Sequence, residues 1–320
     1  MKIRLLTASD IHSALPMNRA IELMREVFSQ LSAGKAEVPL RGRLYSDKGV
    51  TLLMPAYLQG SQAMAVKLVS IYDRNAEMGL PTVTATLLVL DPQTGLPTAF
   101  MEAHHLTAIR TGATGGLAAD LLARKDARRL ALFGAGVQGR AGLEAVRVVR
   151  DIAHVFIYDP VGEAAQQLAS DIAAEVGGPE VMVCESPRQA VSQADIVVTV
   201  TTAKTPVFDG NDLQPGAHVT AVGSFSPDVQ EVDAVTVSRS LVVADSREAC
   251  LAEAGDLIAC GASVDAEIGE IINRTRPGRT SEEQITYFKT VGIAAQDAAA
   301  AAEVLHVAQE KGLGQVFDLA

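Results

Sequence analysis

Apolar positions first recur at helical spacing in "MNRAIELMREVFSQLSAG", residues 17–34, where Ile21, Met24, Val27, Phe28 and Leu31 share one stripe. Pro16 precedes this stretch and Gly34 stops it. Upstream, Ser9 or Asp10 is placed to cap a short helical region. The period then shortens to that of strands: Val50–Met54, Ala65–Tyr72 and Thr82–Leu90. The last of these runs into "DPQTG", turn chemistry for a hairpin that returns through Leu96–Met101. The first hundred residues thus read as a helix packed on a largely antiparallel sheet.

An Ala/Leu-rich helix is expected over Leu106–Arg124, and after it the rhythm changes. Apolar strands at Arg129–Phe133, Val155–Tyr158, Val181–Cys184, Ile196–Val200, His218–Ala221 and Leu241–Ala244 alternate with helical or loop segments. Such alternation predicts a parallel sheet covered on both faces. The tail, "VGIAAQDAAAAAEVLHVAQEKGLG", reads as a close-packing helix ended by Gly312 and returning to the first domain. The fold class expected is α/β. A Rossmann-type doubly wound parallel sheet occupies 113–288, and a discontinuous α+β domain is assembled from 1–112 and 289–320.

Gly134-Ala-Gly136-Val-Gln-Gly139 follows an apolar strand and opens a helix, the context that gives a GxGxxG run meaning. Gly134 permits the tight turn, Gly136 admits a pyrophosphate, and Gly139 allows helix and strand to pack closely. Twenty residues on, Asp159 ends the second strand, where a carboxylate accepts from the ribose hydroxyls. It would repel a 2′-phosphate, and no Lys or Arg follows before Arg188. NAD(H) is therefore expected in preference to NADP(H).

Composition narrows the classes. A net charge of −11 over 320 residues argues against nucleic acid as a partner. No apolar run reaches membrane-span length, and the N-terminus lacks a signal-peptide core, so a cytoplasmic protein is expected. Cys184, Cys250 and Cys260 make neither a disulfide framework nor a zinc pattern, and no metal is expected.

Two cations stand out before the glycine loop. Alternation in "AVKLVSIY" puts Lys67 on the face of Ala65, Val69 and Ile71, as either an edge-strand gatekeeper or a desolvated group of lowered pKa. Arg110, in "LTAIRTG", sits near a helix start where the dipole disfavours it. It is either a solvated or salt-bridged arginine or one assigned to grip a carboxylate.

Together with "VPLR" (Val38–Arg41), "LMPA" (Leu53–Ala56), "VKLV" (Val66–Val69), "GLPTV" (Gly79–Val83) and "TGLPTA" (Thr94–Ala99), the chain resembles the ornithine cyclodeaminase/mu-crystallin family. The likeness continues through "LTAIRTGA" (Leu106–Ala113), "FGAGVQGRA" (Phe133–Ala141), "VGSFSPDVQEVD" (Val222–Asp233) and "KTVGIAAQD" (Lys289–Asp297). The resemblance implies a homodimer whose first domain supplies the substrate floor and the dimer interface. By the same analogy Arg41, Lys67 and Arg110 surround the substrate's α-carboxylate and nitrogen-bearing carbon, with Val291 nearby. Thr82 and Thr111 fall near the cofactor, Val137 and Gln138 on the pyrophosphate turn, and Thr201 after the fourth Rossmann strand. Val222, Gly223 and Ser224 border the nicotinamide.

The likeness breaks at three places. Family members that cyclise ornithine resemble one another at "GxDxPxKxEL", whose aspartate handles the distal amine. Here that position is Phe225, which can neither accept from an ammonium nor move its proton. Asp228 lies three residues on. Ala65 replaces a common Gly, and Glu102-Ala103 a common Asp-Gly.

The expected activity is hydride transfer between NAD(H) and the C=N or CH–N carbon of a small α-imino or α-amino acid, as in a cyclic ketimine reductase or an alanine-type dehydrogenase. The alternatives are an ornithine cyclodeaminase using NAD catalytically and a non-catalytic dinucleotide-dependent binding protein.

Overall fold

The computed structural model describes residues 1–319. The chain forms two compact units, one of Met1–Arg110 plus the chain from Ile293 on, the other of Thr111–Gly292. The sequence boundaries of 112 and 289 differ from these by a few residues. Ile285–Lys289 is a strand of the parallel sheet, and the helix His104–Leu122 contains the first crossing point.

The first unit is built on an eight-stranded sheet. Its order is Gln315–Asp318, Lys2–Leu6, Pro97–Glu102, Val83–Leu90, Ala63–Ile71, Gly49–Leu58 and Ala36–Glu37, with Gly42–Ser46 also paired to Gly49–Leu58. Every pairing is antiparallel except Lys2–Leu6 with Pro97–Glu102. The hairpin through "DPQTG" is present, with Asp91 Oδ1 accepting from the Gln93 and Thr94 amides. Helix Ala294–Lys311 packs on strands Gly49–Leu58 and Ala63–Ile71, and Met17–Ser32 packs on Gly49–Leu58 and against Ala294–Lys311. Met17–Ser32 buries Ile21, Met24, Val27 and Phe28 on the expected stripe, while Leu31 stays half-buried. In Ala294–Lys311 the alanines through Ala301 are buried and Ala302 is half-buried, and Gly312 caps the helix in the left-handed conformation.

The first helix, Ala8–Ala14, is capped not by Ser9 or Asp10 but by Thr7, which shares a capping box with Asp10. Thr7 directly follows an unforeseen strand, Lys2–Leu6, so the helix begins as soon as the sheet ends.

The second unit holds an all-parallel eight-stranded sheet. Its order is Glu180–Val183, His154–Tyr158, Arg129–Phe133, Ile196–Thr199, His218–Ala221, Ile285–Lys289, Ser240–Ala244 and Ala266–Glu267. Strand order reverses between Arg129–Phe133 and Ile196–Thr199, the switch point at which open α/β sheets bind ligands beyond their strand carboxyl ends. The expected α/β Rossmann-type architecture is therefore present. Ile285–Lys289 inserts between two expected strands, and all five of its residues are buried. Among the described residues no helix is long and apolar enough to cross a membrane.

Candidate active site

In the first unit, Lys67 lies on a central strand, Ala63–Ile71, which removes the edge-gatekeeper reading. Across the sheet it pairs with Met54 on one side and Leu87 on the other, and Leu87 pairs with Met101, so one cation occupies a buried apolar row. Its Nζ lies 2.7 Å from Asp297 Oδ2, with the two side chains 2% and 1% exposed. The Thr107 hydroxyl stands at 3.5 Å. Burial pushes the Lys67 ammonium down to about 7; Asp297 opposes the fall, and the charges of Arg110 and Arg41 add to it. Lys67 can therefore carry or release a proton near neutrality.

Asp297 sits in the first turn of Ala294–Lys311, where the dipole favours a carboxylate. Its other oxygen accepts from Arg110 Nε at 3.0 Å, and Arg110 Nη1 donates to Gln296 Oε1 at 2.9 Å. The same Gln296 oxygen accepts from the Ile293 amide at 2.8 Å and closes the start of the helix. Arg110 is buried, and its partners make it both a salt-bridged arginine and one fixed in place. Arg41 is half-buried just before strand Gly42–Ser46, near enough to depress Lys67. Lys67, Arg110 and Arg41 thus bring three cationic side chains into one neighbourhood, a grouping that suits an anionic ligand.

Asp297 and Gln296 were not singled out as site residues. The signal was present in "AAQDAAAAA", since an acid and an amide within an alanine stretch destined for burial require partners there. Thr82 is not brought to this cluster. Its carbonyl accepts from the Tyr72 amide at 2.8 Å, and it lies five residues before Leu87, the strand partner of Lys67. At strand rise that separation is roughly 16 Å.

In the second unit, the glycine loop meets each requirement for a dinucleotide. Gly134 has φ +101°, and a Cβ there would lie 2.7 Å from the Val200 carbonyl oxygen. A Cβ on Gly139 would come within 2.0 Å of the Gly134 carbonyl oxygen. Gly136, in contrast, has nothing within 4 Å of its would-be Cβ. It is the N-cap of Val137–Val149, a helix with no side-chain cap, and Val137 is exposed beside it. An open, uncapped helix N-terminus beyond a glycine turn fits a pyrophosphate.

Asp159 performs a task the sequence reading did not assign. Its Oδ2 accepts from the Ala135 amide at 2.8 Å and its Oδ1 from the Val161 amide at 2.8 Å, tying the glycine loop to the end of strand His154–Tyr158. Each oxygen keeps a lone pair for a hydroxyl donor.

Thr111, Gln138, Thr220 and Val222 line one narrow cavity of this unit, and Gln138 Oε1 has no hydrogen-bond partner there. Thr201, Gly223 and Ser224 are held by the protein itself: the Thr201 and Gly223 amides donate to the Glu231 carboxylate, and the Ser224 hydroxyl donates to the Val229 carbonyl at 2.6 Å. Phe225 is 43% exposed, and Asp228 is exposed and bonded to the Ser226 hydroxyl, which holds its carboxyl below the usual range. Val291 is buried, and its amide donates to Asp245 Oδ2 at 3.1 Å.

Three comparisons place these features among known proteins. Delta(1)-pyrroline-2-carboxylate reductase of Bacillus cereus is 37% identical over 98% of this chain and 99% of its own. The structure of the Thermococcus litoralis enzyme of that name, in complex with NADH and L-proline, matches with a TM-score of 0.93 at 40% identity, covering 98% of this chain and 99% of that one. An archaeal alanine dehydrogenase dimer with bound NAD matches with a TM-score of 0.94 at 34% identity over the whole of both chains. The family profile runs through residues 1–312: the chain belongs to the ornithine cyclodeaminase/mu-crystallin family.

Proposed function

We propose that the protein is an NAD(H)-dependent oxidoreductase acting at the C=N or CH–N carbon of a small α-imino or α-amino acid, with a cyclic 2-imino-carboxylate as the preferred substrate. The observation that carries this is the buried Lys67–Asp297–Arg110 cluster in the first unit. A cationic, desolvated site of this kind suits a carboxylate-bearing substrate, and its lysine titrates near neutrality.

NADH, when bound on the glycine loop, supplies the hydride that reduces the imine carbon. Arg41 and Arg110 hold the substrate carboxylate; the planar fork of Arg110, steadied by Asp297 and Gln296, fixes its direction. The Lys67 ammonium donates its proton to the imine nitrogen: an N–H bond forms on substrate as one breaks at Nζ, and a proline-like amino acid results. Asp297 steadies the ammonium before donation. In the reverse direction neutral Lys67 takes the proton back.

Asp159 supports NADH over NADPH, since its carboxylate opposes a 2′-phosphate at the end of the second strand. Phe225 supports a reductase or dehydrogenase over an ornithine cyclodeaminase, for it gives a distal ammonium no acceptor.

Homodimer formation through the first unit is supported by the sheet face away from its two helices. Val66, Leu88, Phe100 and Leu5 pair in a row across four strands, and Leu53 pairs with Leu68 beside them. Leu5, Leu53, Leu68 and Phe100 are each 37–41% exposed, an apolar surface of the kind that marks an interface.

The testing experiment follows NADH oxidation against pyrroline- and piperideine-2-carboxylate and against pyruvate with ammonia, with NAD plus ornithine as the contrasting arm. Oxidation of NADH by the cyclic imines, with no proline or ammonia from ornithine, is expected. Proline from ornithine without net NADH would overturn the reading in favour of a cyclodeaminase.

A further inference from the structure

The second unit contains a buried carboxylate that no step above uses. Glu231 has no exposed surface. Its Oε1 accepts from the Thr201 amide at 2.5 Å, while its Oε2 accepts from the Gly223 amide and, at 3.1 Å, from the Thr199 hydroxyl. These donors lie at or just beyond the carboxyl ends of two neighbouring parallel strands. Thr199 ends Ile196–Thr199 and pairs with Ala221, which ends His218–Ala221; Thr201 and Gly223 lie two residues beyond each. One carboxylate thus clips together the loops that leave two strand carboxyl ends, beside the point where strand order reverses.

The surroundings show how firmly the clip is set. A Cβ on Gly223 would lie 2.2 Å from the Thr201 carbonyl oxygen and 2.6 Å from Glu231 Cδ, so the glycine is what lets the loop close on the carboxylate. The Glu231 amide donates to Asp256 Oδ1 at 2.7 Å, and the Asp256 amide donates to the Ser224 hydroxyl at 3.2 Å. Asp256 Oδ2 accepts from the Tyr287 hydroxyl at 3.1 Å and faces the buried Lys289 ammonium at 3.2 Å. Loop 222–224 is therefore anchored to strand Ile285–Lys289 through a buried ionic network.

We infer that Glu231 is a positioning residue for the nicotinamide end of the dinucleotide: its carboxylate fixes the backbone of Thr201 and Val222–Ser224, the loops that receive the ring, and does not touch the adenosine end. The inference rests on the proposed dinucleotide function. Two backbone amides and a hydroxyl all point donors at the Glu231 carboxylate, so both arms of the side chain must accept. Glu231→Gln replaces one acceptor by an NH2 donor and sets donor against donor.

The test compares binding of NADH and of ADP-ribose, which lacks the nicotinamide, to the wild type, Glu231→Gln and Thr199→Val by titration calorimetry, with melting temperature alongside. Glu231→Gln is expected to weaken NADH about tenfold or more, the scale of a lost hydrogen bond to a charged group, and to leave ADP-ribose at its wild-type affinity. Thr199→Val removes a single donor and keeps the carboxylate, so it should fold even if Glu231→Gln does not, and should weaken NADH alone by a smaller factor. Equal losses for both ligands in the two variants, or no loss for either ligand, would overturn the inference. A wild type that binds neither ligand would overturn the dinucleotide reading itself, and the inference with it.

Discussion

Lys67 Nζ and Asp297 Oδ2 stand 2.7 Å apart in a setting almost without solvent, and the other Asp297 oxygen holds Arg110 Nε at 3.0 Å. One carboxylate thereby governs two cations of different use. For Lys67 it offsets part of the desolvation that draws the ammonium down to about 7. For Arg110 it fixes the plane of the guanidinium.

The pH dependence follows with a definite sign. Reduction of an imine needs Lys67 protonated, so kcat/KM for reduction should fall as pH rises through about 7. Amino-acid oxidation, which needs it neutral, should rise over the same interval. Asp297→Asn removes the charge that favours the ammonium, so both limbs should move to lower pH. The variant should also lose about 3–5 kcal/mol of stability at most, since it leaves buried cations without their anion and Lys67 can respond by shedding its proton. pH–rate profiles in both directions together with urea melts check these outcomes; limbs that stay in place would remove Lys67 from proton transfer.

Arg110→Lys keeps the charge but loses the fork that meets Asp297 and Gln296 through different nitrogens. Imine reduction should fall about a hundredfold or more, the scale of a misplaced reacting group. NADH affinity, read by fluorescence titration, should stay as in the wild type. Near-normal turnover would make Arg110 purely structural.

How much of this could be read from the chain depends on what each residue's neighbours are. The glycine loop and its flanking strands were legible because Gly134 and Gly139 answer to contacts made within a few residues or at one strand end. The strand Ile285–Lys289 was not: "ITYFK" is buried on both faces, shows no alternation, and ends in a lysine whose partner, Asp256, is 33 positions away in the chain. Lys67 announced itself through alternation, but its edge or interior status depended on strand order, which no local pattern encodes. Asp297 was hidden for the same reason: its partners lie 230 and 187 residues upstream. Thr7 took the cap from Ser9 and Asp10 because an unforeseen strand fixed where the helix could begin.

Cofactor choice is tested at Asp159. Repulsion between its carboxylate and a 2′-phosphate should favour NADH over NADPH about tenfold or more in kcat/KM. Asp159→Ser combined with Val161→Arg, at an exposed position two residues on, should shift the ratio toward NADPH. Because Asp159 also holds the Ala135 amide, the double variant should bind both dinucleotides somewhat less well than the wild type binds NADH. Equal kcat/KM for the two cofactors in the wild type would count against this role.

The apolar row on the outer sheet face predicts the assembly. Phe100 and Leu68 lie on that face with strand Val83–Leu90 between their own strands, and are 40% and 41% exposed. Phe100→Glu combined with Leu68→Glu should turn a dimer into a monomer by light scattering, since charges directed into an apolar interface lose their water. The glycine loop belongs to the second unit and carries neither substitution, so the monomer should keep its NADH affinity. A wild type that is already monomeric would refute the proposed dimer.

In the proposed function, Phe225 is what separates a reductase from a cyclodeaminase. A distal ammonium placed against a phenyl ring loses water and recovers only about 0.5–2 kcal/mol from a cation–π contact. A closed apolar ring loses nothing comparable, so cyclic 2-imino-carboxylates should outcompete ornithine. Asp228 offers no substitute in the present loop, as its carboxylate is exposed and engaged by Ser226. Phe225→Asp restores a carboxylate beside Ser224 without disturbing the Ser224 hydroxyl, which is held by the Val229 carbonyl. That variant should reduce cyclic imines more slowly than the wild type and gain measurable ammonia release from ornithine with catalytic NAD. If wild-type protein releases ammonia from ornithine as fast as it oxidises NADH with pyrroline-2-carboxylate, Phe225 does not set the reaction class.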